Sequence, residues 1–227
     1  MHFRAVDFVA SAGTLAVGIA TLRHVRQPRA VLFAAMPIFF ALHQFTESFV
    51  WLGLDHRLRP EAEGHVVFLF ILYAQAILPL LMPLATLLIE PPGWRRKIIA
   101  GLTAIGAAEC AYIVYALMAF PPSATILHHS IHYENPRTAT AWVAGIYVVV
   151  TCGSLLVSTH KVVRWFGWLN VAGVIATLAF ASYAFTSIWC LYAAVLSVVL
   201  YWQFSNRKIN LREPNTDLAE GHEPTFA

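Results

Sequence analysis

The stretch 41-ALHQFTESFVWLGL-54 decides how this chain is read. It has the apolar bulk of a membrane-spanning helix, yet it sets His43, Gln44 and Glu47 in the middle of that bulk. His43 and Glu47 stand four residues apart and so share one helix face; Trp51 continues the stripe and Gln44 borders it. A carboxylate at membrane depth costs about 3 kcal/mol even on the mildest insertion scale, so it needs a partner or a water-filled cavity. The arrangement of lowest cost points all three polar groups into a bundle, toward a cavity open to the outside.

The rest of the chain supports a bundle. Of 227 residues, 59% are hydrophobic and 12% charged, against about 25% charged in an ordinary soluble domain. Mean hydropathy is +0.64, and the apolar residues come in long blocks, the mark of a polytopic membrane protein. A net charge of +3 gives no ground for nucleic-acid binding. Cys110, Cys152 and Cys190 all fall inside apolar blocks, which speaks against a disulfide framework. At the N-terminus the apolar stretch begins almost at once, and Arg23, Arg26 and Arg29 follow it. That is the reverse of a cleaved secretory signal and suits a first helix inserted with its N-terminus outside.

Seven spans are expected, over 5–22, 31–53, 66–89, 97–119, 139–158, 164–183 and 187–204, each near the ~20 residues that a bilayer requires. The run 165–204 is too long for one span, and SYAFTS at 182–187 is its best turn. With the N-terminus outside, eleven Lys and Arg residues fall on the cytoplasmic side: Arg23, Arg26, Arg29, Arg95, Arg96, Lys97, Lys161, Arg164, Arg207, Lys208 and Arg212. Arg4, Arg57, Arg59 and Arg137 fall outside. This positive-inside bias supports seven spans and a cytoplasmic C-terminus in an inner membrane; six would move the last three cations to the wrong side. The expected fold is therefore all-α: a seven-helix transmembrane domain over 1–204 and a disordered, polar cytoplasmic tail over 205–227. Pro79 and Pro83 are expected to kink the third span and free backbone carbonyls there. The bilayer is the expected partner, with partner membrane subunits or a second copy of the chain as further candidates.

Orientation turns the polar residues into a map. His2 and Asp7 stand at the outer mouth of the first span. His56 and His65 flank the second external loop. His128, His129, His132 and Glu134 lie in the longest external loop, PPSATILHHSIHYENPR. Gln75 lies in the outer half of the third span, Glu109 near the middle of the fourth, and Trp189 and Cys190 near the outer end of the seventh. Histidine and carboxylate together suit zinc, iron or copper. The expected pocket thus comprises Glu47, His43, Gln44, Trp51, Gln75, Glu109, Trp189 and Cys190, with Glu47, His43, His2, His129 and His132 as candidate ligands for a transition metal ion. Plainer readings stand beside these. His43 and Glu47 can be an internal hydrogen-bonded pair, the histidine loop can be simply solvated, and Trp51 and Trp189 can be interface-belt aromatics. The HxxxE spacing is weak evidence beside HExxH, which specifies a zinc pair and a base.

Four places carry a family resemblance: the start MHFRA, HQFTESFVWLGL at 43–54, AQAILPLLMPLATLLIE at 74–90, and SIWCLYAAVLSV at 187–198. The HHSIHYE loop fits as well. The chain resembles an uncharacterised bacterial family of seven-helix membrane proteins, a domain of unknown function, over nearly its whole length up to the tail. The resemblance implies no activity, cofactor or substrate. Relatives often begin Met-Cys-Phe where this chain has His2, and often carry glutamine where it has His43, which weakens a claim that His43 is an essential ligand.

Chemistry removes some seven-helix functions. A retinal protein needs a lysine in its last helix for the Schiff base, and 187–204 contains none. Bis-histidine haem is disfavoured because only His43 lies well inside. Three readings survive: an outward-facing polar pocket that binds a metal ion or small polar solute, a membrane-embedded metal-dependent lipid hydrolase, and a structural or accessory subunit of a membrane complex.

Overall fold

A computed structural model describes residues 3–127, 130–180 and 185–206. These form seven helices and one hairpin. The helices are α1 (Phe3–Arg23), α2 (Pro28–Leu54), α3 (Pro60–Ile89), α4 (Trp94–Ala119), α5 (Ala141–Val157), α6 (Lys161–Phe180) and α7 (Phe185–Ser205). Three of them, α2, α3 and α4, are long and apolar enough to cross a membrane. Residues 182–184 of the expected turn at 182–187 lie outside the description, as does the tail beyond 206, while 185–187 already belong to α7.

The described residues are helical as expected, with one addition between α4 and α5. There, β1 (Ser123–Leu127) pairs antiparallel with β2 (Ser130–Glu134), setting Ala124 opposite Tyr133 and Thr125 opposite His132. The sequence alternates Ile131 and Tyr133 with His132 and Glu134, the two-residue period of a strand. Ile131 is buried in the core and Glu134 is exposed. The connecting residues are histidines, not the Asn-Gly or Asp-Gly that announces a hairpin.

Helix ends follow local chemistry. α3 begins six residues before its apolar stretch because Pro60 opens it and Glu61 and Glu63 occupy its first turn, where carboxylates are favoured. α2 ends with His56 at φ 56°, and the Arg57 N–H returns to the Leu52 carbonyl at 3.0 Å, closing the helix with a left-handed residue. His56 is thus a cap. The His65 Nδ1 lies 2.7 Å from the Glu61 carbonyl, one turn back along its own helix.

Before Pro79 and Pro83, α3 carries a specific irregularity. Residues Leu72–Ile77 form a π-helical turn in which the Leu78 N–H reaches back five residues to the Tyr73 carbonyl. A proline ring clashes with the carbonyl one turn earlier, and widening that turn relieves the clash. Pro83 has no N–H for the Pro79 carbonyl. At that place α4 comes in close: a Cβ added to Gly106 would lie 2.5 Å from the Pro79 oxygen. α1 and α2 make a similar approach, with Gly18 against Ile38.

Two apolar clusters divide the bundle. One gathers Phe33, Met36, Phe40, Met82, Ile89, Leu155, Phe166 and Leu200 toward the α3–α4 and α5–α6 loops. The other gathers Val50, Trp51, Phe70, Ile113, Leu117 and Val143 under the hairpin residue Ile131. Along α2, residues 41–49 separate Phe40 of the first cluster from Val50 of the second.

Candidate functional site

The α2 stripe faces inward. Glu47 is 1% exposed, and His43, Gln44, Ser48 and Trp51 are also buried, while Leu42 and Phe45 on the opposite face are 51% and 46% exposed. Polar residues inside and apolar residues outside invert the usual soluble helix. α1 supplies two partners. The Thr14 hydroxyl donates to Gln44 Oε1 at 3.5 Å, and the Trp51 indole N–H donates to the Asp7 carboxylate. Trp51 therefore ties α1 to α2.

His43 sits in an aromatic column. Its ring stacks on Phe70 at 4.2 Å and 14°, and on Tyr73 at 5.0 Å and 26°, while Phe70 stacks on Tyr133 at 4.5 Å and 20°. The column joins α2, the π turn of α3 and the second strand. The widened turn begins at Leu72, so it helps to set the azimuth at which Tyr73 meets the imidazole. His43 Nδ1 is buried with no hydrogen-bond partner.

Glu109 lies on α4. It follows Gly106 by one turn on the same face of α4, while Gln75 precedes Pro79 by one turn on α3. Because Gly106 sits on Pro79 and the two helices are joined by a short loop, the packing brings Glu109 to the level of Gln75. Glu109 is buried, and neither carboxylate oxygen has a hydrogen-bond partner; nor does Gln75 Oε1. Pro79 also leaves the backbone carbonyls of this turn short of a donor. This part of the α3–α4 interface is therefore rich in acceptors.

The structure thus buries His43, Gln44, Glu47 and Trp51 on one face of α2, and the Gly106–Pro79 approach sets Glu109 of α4 near the level of Gln75 of α3. His132 goes elsewhere. It lies on the outward face of its strand, 3.3 Å from Glu134, while Tyr133 turns toward the core. Among the described residues no three His, Cys, Asp or Glu side chains converge as a metal site. His2 and His129 lie outside the described residues, and Trp189 and Cys190 lie on α7 with side chains outside the description. Among the described residues, a surface depression of about 400 Å³ lies at the foot of the hairpin and another of about 420 Å³ in the outer groove between α1 and α2; neither is lined by His43, Gln44, Glu47, Gln75 or Glu109.

Sequence reasoning missed Tyr73, Phe70 and Tyr133 as companions of His43. The one available signal was Pro79, six residues after Tyr73. It also missed Glu90. Glu90 is buried, and its carboxylate accepts from the Ser158 hydroxyl at 2.7 Å, the Thr159 N–H at 2.8 Å and the Thr159 hydroxyl. This latch clamps the α3–α4 loop to the α5–α6 loop.

Comparison with known proteins now has a structure to rest on. A family of unknown function, DUF6629, matches residues 1–215. The chain belongs to this family. No curated protein and no solved structure matches it.

Proposed function

We propose that this DUF6629 protein is a multi-pass protein of a bacterial inner membrane. It has seven spans, an outer N-terminus and a cytoplasmic C-terminus, and its mid-depth polar layer binds a cation. Glu109, Gln75, His43 and Glu47 are the binding groups, with Gln44 and Trp51 bracing them. The observation that carries this reading is that both buried Glu109 oxygens, and the buried Gln75 Oε1, lack a hydrogen-bond partner. Acceptors with no donor at low dielectric call for positive charge, as a proton or a metal ion. A metal centre would draw on the same groups, with His2 or His129 as further ligands from the outer side. Nothing specific favours the lipid-hydrolase reading, since His132 pairs with Glu134 on the hairpin surface. The accessory-subunit reading predicts that the layer only packs.

The test is elemental analysis of detergent-purified protein, with wild type beside Glu109→Gln and Glu47→Gln, together with thermal melting of all three. Near-stoichiometric zinc, iron or copper in the wild type, lost in both variants, is the metal outcome. No metal anywhere, with Glu109→Gln melting at or above the wild-type temperature, is the proton outcome, because the amide mimics a protonated carboxyl. No metal, with both variants melting well below wild type, would overturn cation binding and leave a packing role.

A further inference from the structure

The Glu90 latch has a second ring of groups around it. Arg95 Nη1 donates to the carbonyls of Val157 at 3.0 Å and Ser158 at 3.2 Å. Arg164 Nη1 donates to the carbonyls of Ser158 at 2.8 Å and Thr159 at 2.9 Å. Two guanidinium groups from different helices thus share one carbonyl oxygen and sit side by side. Arg96, next to Arg95 in the first turn of α4, donates to the Leu87 and Glu90 carbonyls. The nearby carboxylate of Glu90 is taken up by Ser158 and Thr159. Among the described residues none of the three arginines has a carboxylate partner. Each anchors through Nη1, which leaves further N–H donors of a five-donor fork available.

Like charges held this close repel, and an anion between them removes the penalty. The surroundings indicate its source. Trp94, Trp165 and Trp168 are 64%, 69% and 59% exposed, and Arg95 lies 5.0 Å from the Trp94 ring. Exposed tryptophans beside basic residues mark the headgroup level of a bilayer. Lys97 and Lys161, both exposed, add positive charge at the same end.

We propose that Arg95 and Arg164, fixed side by side on the Ser158 carbonyl, form a seat for the phosphate of an anionic phospholipid in the cytoplasmic leaflet, with the flanking tryptophans at the glycerol level. This rests on the chain lying in a bilayer and does not depend on the polar layer binding anything.

The test is native mass spectrometry of the full chain in detergent. It is titrated with phosphatidylglycerol or with phosphatidylcholine of the same acyl chains, in the presence and absence of millimolar inorganic phosphate. A preference for phosphatidylglycerol of at least about fivefold in wild type is expected, corresponding to ~1 kcal/mol. It should fall toward parity in Arg95→Gln/Arg164→Gln and survive in Lys97→Gln/Lys161→Gln. Equal retention of the two lipids by wild type overturns the proposal without need of any variant. So does a preference that the Lys variant loses and the Arg variant keeps, or one that inorganic phosphate abolishes, which would mark a free-phosphate site. If the preference appears only after Glu213, Asp217, Glu220 and Glu223 are replaced by their amides, the tail is the occupant and the proposal also fails. Extraction of the protein from membranes by alkaline carbonate, without detergent, would instead sink the membrane reading itself.

Discussion

Glu90 and Glu109 are both buried carboxylates, and their surroundings are opposite. Glu90 receives three hydrogen bonds from the 158–159 loop, so its burial is compensated and its role is to hold two loops together. Glu109 receives none, and a native protein rarely leaves such a group without a reason. His43 is the other informative residue. Its ring is held by stacking on Phe70 and Tyr73, and such pairs contribute about 0.5–1.5 kcal/mol each. His43→Phe keeps the stack and removes both ring nitrogens. If the imidazole only packs, thermal melting of His43→Phe stays within a few degrees of wild type and any bound metal is retained. If His43 is a ligand, metal content falls while the melting temperature of the metal-free protein holds. The stripe of His43, Gln44, Glu47 and Trp51 was legible from four-residue spacing alone. Their neighbours were not, because spacing within one helix carries no information about which helix lies opposite.

At the scale of the element, α3 and α4 depend on one close approach. Gly106 packs on the Pro79 carbonyl, which has no intrahelical donor because Pro83 lacks an N–H. Ala is intrinsically better than Gly in a helix by about 1 kcal/mol. Here, however, the added Cβ would meet backbone oxygen at 2.5 Å, and overpacking of that kind costs about 1–3 kcal/mol. The clash wins, so Gly106→Ala should lower stability by ~1 kcal/mol or more, read as a lower melting temperature in detergent. Gly101→Ala on the same helix meets nothing within 4 Å and should be neutral or slightly stabilising. Equal behaviour of the two variants would mean that helix propensity, not the crossing, governs this pair. A disturbance of α3 could be expected from Pro79 and Pro83. Its conversion into a π turn that presents Tyr73 to His43 could not, since that depends on how the freed carbonyls are repacked by α4.

For the whole molecule, the proposed seven-span orientation makes a direct prediction. Single cysteines at Arg57 and Ser123, in a chain whose own cysteines are replaced, should react with a membrane-impermeant thiol reagent in intact spheroplasts. One at Lys97 should react only after lysis. The reverse pattern would invert the topology, and reaction of all three in intact spheroplasts would rule out the α3–α4 loop as cytoplasmic.

The sequence alone determined where helices run, which of their residues are polar, and which loops carry the positive charge. These are local properties: hydropathy over about 20 residues and spacing over one turn, each read without knowing any neighbour. Only the tertiary structure decided that Glu109 meets the level of Gln75, that Tyr133 rather than His132 faces the core, that 123–134 is a hairpin, and that Glu90 closes two loops. Each of those follows from a long-range register, set where glycine lets one backbone rest on another and where proline leaves a carbonyl for it to rest on.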